Sequence, residues 1–300
     1  MKAPQHRSWL FQSIDDVVVK QAEAMNLRSM PEHGIHVREM PTSQRSRSES
    51  TMHRHTILTP DGEIWLWGDA DALLGPKPLV LFINGAFAME RPRSFEMQDL
   101  LPEAAILSAH LPGNHCPSVG SHSLRAYAAG YSAALDQIGK PAIVVGASIG
   151  GLVALSIASP MARGLVLVEP PLVTDKLWCL LPFHQQKLLE TPADAELRAF
   201  VWNMFGVSET AVEPRDYRPL LANLTRPSRA MFGELPLMPK RDVTELPSLV
   251  DVPERELLAQ HPLVNSTVVP TVGHNVPGRG IQFIRTQTRQ LLQELGLTPS

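Results

Sequence analysis

Cysteine is scarce: Cys116 and Cys179 are the only two in 300 residues. Two thiols so far apart cannot form the disulfide framework of a small secreted domain, nor the paired ligands of a structural zinc site. An excess of one charge is missing as well. The 27 lysines and arginines face 30 aspartates and glutamates, a formal net charge of -3. That leaves no basic surplus to hold nucleic acid or an anionic membrane surface. No apolar run approaches the ~18 residues of a membrane-spanning helix, and the N-terminus has no apolar core followed by a small-residue cleavage site. What remains is a chain with 44% hydrophobic and 19% charged residues, ordinary for a globular enzyme and long enough to bury a large core. A cytoplasmic protein acting on a small molecule is the expectation.

Residues 1–52 read differently from the rest. Leu10, Ile14, Val17, Val18 and Ala22 mark an amphipathic helix over 9–27, and 40–52 is a polar, Ser/Arg-rich linker. The expectation is a partly flexible leader, with a docking arm, a homodimer contact or a lid as the functional alternatives. Residues 53–300 read as one domain. Pro60-Asp61-Gly62 inside 56–68 writes a hairpin turn. Apolar strand runs follow at 79–83, 104–109, 142–145, 164–168, 229–232 and 266–272, and helical patterns at 123–138, 152–159 and 281–295. Strands alternating with helices imply βαβ units, hence an α/β fold with a mainly parallel sheet flanked by helices. The stretch 172–227 is too long for a connecting loop. It carries helical pieces at 183–189, 193–204 and 217–224, an expected cap over the carboxyl edge of the sheet. Trp178, Phe183, Phe200, Trp202, Met204 and Phe205 are expected mainly to pack that cap onto the core.

Chemistry concentrates at Gly146-Ala147-Ser148-Ile149-Gly150, between a buried strand and a helix. A sharp turn there lifts the serine hydroxyl clear of the sheet, and the glycines keep side chains away from strand and helix. A dinucleotide-binding loop would need glycine where Ser148 stands. In this context the pentapeptide resembles the nucleophile elbow of the α/β-hydrolase family. His110-Leu-Pro-Gly-Asn-His-Cys-Pro-Ser118 is similar to the family's turn after the fourth strand, with His110 in place of aspartate. The segment from Pro227 to Glu234 resembles its seventh strand. The similarity runs over about 56–295.

The resemblance implies Ser148 as nucleophile and His274, just past the last strand in Val272-Gly273-His274-Asn275, as base. It also implies an oxyanion hole from two backbone N–H groups, Ile149 and Ala86, with Phe87 as the neighbour that could take the place of Ala86. Asn84 departs from the histidine usual before that donor. The usual acid position is Pro236, so the acid is open. Glu169 at the end of the sixth strand ranks first, Glu234 second, and Asp242 and Asp251 follow, Asp251 also reading as a helix N-cap. The implied reaction is hydrolysis of a small or medium-sized carboxylic ester, or an amide, thioester or lactone. It passes through an acyl-enzyme with no metal and no organic cofactor. The alternative is a catalytically impaired binding or regulatory module, motivated by the missing aspartate and by the N-terminal extension.

Overall fold

The computed structural model describes residues 52–90, 93–242 and 245–297. The expected leader helix and linker, Met52 apart, lie outside these residues. The hairpin forms one edge of the sheet. Strand β1 (His53–Thr59) pairs antiparallel with β2 (Gly62–Gly68), Thr59 opposite Gly62, and Gly62 takes φ 138, where a side chain would be strained. The remaining strands are β3 (Leu79–Ile83), β4 (Ala105–Ala109), β5 (Ala142–Ala147), β6 (Ala162–Val168), β7 (Ser228–Gly233) and β8 (Val264–Val269). They stand in the order β1-β2-β4-β3-β5-β6-β7-β8. β2 meets β4 antiparallel, and every neighbour pair from β4 onward is parallel.

The period of two along each strand splits the core in two. Leu79, Leu81 and Ile83 face one side with Val144, Leu165 and Leu167. Val80 and Phe82 face the other with Ile143, Val145, Val166 and Val168. Both faces are covered, which is why these strands read as unbroken apolar runs rather than alternating ones. A 3-10 turn, Arg93–Glu96, leads into the short α1 (Met97–Leu100), a segment the sequence pattern did not signal. The helix α2 (Leu124–Ile138) starts where Ser123 Oγ accepts the Ala126 N–H at 3.2 Å. It stops at Gly139, φ 66, as a left-handed C-cap requires. The helix α3 (Ile149–Ser156) begins directly after Ser148, three residues earlier than its apolar pattern suggests.

Between β6 and β7 come α4 (Leu181–Glu190), α5 (Ala195–Phe205) and a 3-10 turn, Arg218–Asn223. Phe183, Phe200, Met204 and Phe205 join the same apolar cluster as Leu81 and Leu152, so the inserted helices share a core with one sheet face. Trp178 and Trp202 are only half-buried. Trp178 Nε1 donates to Leu237 O at 3.3 Å, and the Arg215 guanidinium lies 4.9 Å over the Trp202 ring. After β7 come α6 (Val252–Gln260), β8, α7 (Val276–Arg279) and α8 (Ile281–Glu294), whose Ile284, Leu291 and Leu292 close the second face. β8 starts two residues before, and ends three residues short of the end of, the 266–272 run that suggested it. Its pattern is half-exposed edge strand rather than buried core. Among the described residues no helix is long and apolar enough to cross a membrane.

One residue sits uneasily in this core. His184 of α4 is 1% exposed, and its two ring nitrogens are buried without a partner. Phe205 lies 4.2 Å away by ring centroids, with Phe183 at 5.7 Å and Phe87 at 5.8 Å. Burial alone pushes its pKa down to about 3 from an ordinary 6.5. The folded protein therefore holds the ring neutral, while an unfolded chain takes up a proton near pH 6.5. The contribution of the neutral ring is fully present above pH 6.5 and fades as pH falls toward 3, by about 1.4 kcal/mol for each unit. Comparing His184→Leu with the wild type by chemical denaturation at pH 7 and pH 4.5 should show the variant gaining relative stability at the lower pH. Equal acid slopes in the two proteins would sink this reading.

Candidate active site

Among the site candidates, Ala86, Phe87, Ser148, Ile149, Glu169, Glu234 and His274 all follow the carboxyl ends of parallel strands, while Asp242 lies exposed in a loop and Asp251 heads α6. The elbow is built by close backbone approach. A Cβ on Gly146 would lie 2.2 Å from Gly150 O, and one on Gly150 would lie 2.3 Å from Ile83 O. Neither could be tolerated without moving the main chain. Between them Ser148 adopts φ 53 and ψ -122, and its N–H donates to Val168 O at 2.8 Å. The strained backbone is not confined to the serine. Among the described residues the non-glycine positions with positive φ are Phe87, His115, Ser148, Glu169 and Thr271. They follow the ends of β3, β4, β5, β6 and β8 respectively. Each such position costs on the order of 1–3 kcal/mol and persists only where its surroundings force it. Five on one edge of one sheet mark that edge as the place the fold is held under constraint.

Ala147 of β5 stands opposite Val168 of β6, so Ser148 and Glu169 leave neighbouring strands side by side. Glu169 is fully buried, and three donors converge on its carboxylate. The Gly233 N–H reaches Oε1 at 2.5 Å, the Leu249 N–H reaches Oε2 at 2.8 Å, and His274 Nδ1 meets Oε2 at 3.2 Å. His274 is held from below: its N–H donates to Leu246 O at 2.9 Å and its carbonyl accepts the Val276 N–H at 2.8 Å. Arg255 stands behind this group. It donates to Val250 O at 2.7 Å and to Gly233 O at 2.8 Å, binding the carbonyls of two segments that give N–H groups to Glu169, and attracts that carboxylate electrostatically. Nothing in the sequence singled out Arg255. Glu169 is thus the carboxylate at His274, whereas Glu234 turns elsewhere, its Oε2 accepting the Thr271 N–H at 2.8 Å. Asp251 stands at the N-cap position of α6, as read from the sequence, but makes no side-chain cap bond there and pairs with Lys176 at 2.8 Å.

On the other side of Ser148 lies the loop after β3. A Cβ on Gly85 would stand 3.0 Å from the Ser148 Cβ, which brings the main chain leading to Ala86 against the serine. Ile149 opens α3, so its N–H has no acceptor within the helix. Asn84, the departure noted from the sequence, is a buried brace. Its side chain donates to Ser108 Oγ at 3.0 Å and Ala109 O at 2.9 Å and accepts from Ser94 Oγ at 2.9 Å. His110 is buried, with burial first and neighbouring His115 second pushing its pKa down to about 4; burial likewise lowers that of His115. Among the described residues no group of three His, Cys, Asp or Glu side chains is arranged to hold a metal ion.

A model described as alpha/beta hydrolase family matches residues 80–285. No curated protein sequence matches the chain. Solved structures with a similar fold include an esterase from Pyrococcus furiosus at 15% identity and TM-score 0.58, covering 81% of this chain and 91% of that one. A thermophilic esterase from Thermogutta terrifontis aligns at 17% identity and TM-score 0.55, over 81% of this chain and 99% of that one. MenH from S. aureus aligns at 14% identity and TM-score 0.52, over 73% and 94%. At such identities the likeness is one of fold.

Proposed function

Because the chain belongs to the alpha/beta hydrolase family, we propose that it is a serine hydrolase cleaving a small or medium-sized carboxylic ester through an acyl-enzyme on Ser148. The observation that carries this reading is the buried Glu169 carboxylate on His274 Nδ1, at the strand end beside Ser148. A carboxylate there favours the tautomer with the proton on Nδ1, leaving Nε2 as a free base. Ser148 Oγ attacks the ester carbonyl as His274 Nε2 takes its proton. The developing oxyanion is received by the Ala86 and Ile149 N–H groups, fixed dipoles that need no rearrangement. His274 then returns the proton to the departing alcohol. A water deprotonated by the same imidazole opens the acyl-enzyme. Amides, thioesters and lactones would pass through the same steps. The reading as a binding module without activity rests on the missing aspartate and on the N-terminal extension; the Glu169 carboxylate at His274 speaks against the first of these.

A fluorophosphonate probe tests the proposal directly. Incubated with folded protein, it is expected to modify one residue, mapped by peptide mass analysis to Ser148 and absent from Ser148→Ala. The labelled protein should lose its activity on chromogenic esters ranging from acetate to octanoate. Folded protein that neither takes the label nor hydrolyses any member of the series would overturn the enzyme reading.

A further inference from the structure

Resting on the oxyanion reading above, we infer that the turn carrying His110, Asn114 and His115 is a clasp that positions the Ala86 N–H, and that these side chains are positioning residues for the reaction. The loop from Asn84 to Glu90 is gripped at both ends. At its start the Asn84 N–H donates to Ala109 O at 2.9 Å, and the Asn84 side chain bonds Ser108, Ala109 and Ser94. Farther along, Ala88 O receives both Asn114 Nδ2 at 3.3 Å and His115 Nε2 at 3.1 Å, and Glu90 O receives His110 Nε2 at 3.1 Å. A carbonyl can only accept, so both imidazoles present Nε2–H to it. His110 and Asn114 are each 1% exposed, and the His110 and His115 rings lie 5.0 Å apart. These are built contacts rather than surface chance.

Between the two grips lies Phe87 at φ 57. A phenylalanine released from that conformation relaxes to negative φ, and this turns the peptide planes on either side of it. The peptide that carries the proposed oxyanion donor is one residue away. His115 itself sits at φ 57 in the turn that follows β4, so one strained turn holds another. The clasp takes its chemistry from side chains of the fourth-strand turn, and the loop it holds belongs to the third strand. Its effect should therefore fall on the transition state, where the oxyanion forms, rather than on ground-state binding.

The test is a set of variants on the full chain: Asn114→Ala combined with His115→Ala, and His115→Leu beside His115→Gln. Glutamine places an amide N–H where Nε2 stood. Each is assayed on the best ester of the series, with Ki measured for a trifluoromethyl ketone of the same acyl group, whose serine adduct bears the oxyanion. The double variant is expected to lose about 10²-fold in kcat, as for a misplacement of the order of an ångström. KM should stay near the wild-type value, and Ki should rise in step with the fall in kcat/KM. His115→Gln should recover most of what His115→Leu loses. An unchanged kcat in the folded double variant would overturn the clasp, as would a lost kcat with unchanged Ki. If the double variant does not fold, equal kcat for His115→Leu and His115→Gln overturns it instead. A wild type that neither hydrolyses nor labels would overturn the proposed function itself, a separate outcome.

Discussion

Ser148→Ala is expected to lower kcat on the best ester by about 10⁶-fold, His274→Ala to do nearly the same, and the double variant to be scarcely worse than either. The reason is that the hydroxyl and the imidazole act as one unit. Without Nε2 to take its proton the serine is a poor nucleophile at neutral pH, and without the hydroxyl the imidazole has no attack to assist. What survives is the rate supplied by substrate binding and by the two proposed oxyanion donors, about 10³-fold over water in comparable enzymes. Alanine at 148 keeps the backbone strain of φ 53 and the close passage of Gly85 against the Cβ, so the fold should be retained. Melting temperatures check that. Losses that multiply in the double variant would mean two independent groups, and a single relay from Ser148 to His274 would be wrong.

Half of that proposed relay is legible in the sequence. The elbow can be read because its chemistry is local: two glycines, a serine, a strand before and a helix after, all within a dozen residues. Glu169 ranks first from the sequence as the strand-end carboxylate left when the usual aspartate is absent; that its strand lies beside the elbow's is what the sheet order adds. The edge strand β8 was misplaced for a physical reason. At this edge of the sheet only Val269 of the strand is fully buried, so no buried apolar run marks Val264–Val269, and the pattern read over 266–272 carries on past Val269 into the loop toward His274. Arg255 and His115 could not have been found at all. Their work is to donate to backbone carbonyls 22 and 27 residues distant, and a carbonyl carries no side-chain signature. The same holds for Asn84, whose brace joins three segments through hydroxyls and a carbonyl.

The reach of the structure beyond the motif is clearest in Glu169→Gln, where two losses should appear together. The carboxylate serves three donors, the Gly233 N–H, the Leu249 N–H and His274 Nδ1. An amide offers one acceptor oxygen, and its NH₂ must then face at least one N–H. The first loss is stability, about 1–3 kcal/mol for a buried donor left unpaired, read as a lowered denaturation midpoint. The second is catalytic. An NH₂ opposite Nδ1 makes that nitrogen the acceptor, drives the proton to Nε2, and leaves no base facing the serine; kcat should fall by about 10⁴-fold on the folded protein. Arg255 cannot compensate, since its guanidinium already binds Gly233 O and Val250 O. Glu234→Gln is the control. Its carboxylate accepts only the Thr271 N–H in the described contacts, so kcat should stay within about twofold, as expected for a substitution away from the reacting groups. A large loss in Glu234→Gln with near-normal turnover in Glu169→Gln would reverse the assignment of the acid. Matching small losses in both would mean that His274 needs no carboxylate, and the strained φ of Glu169 would then need another cause.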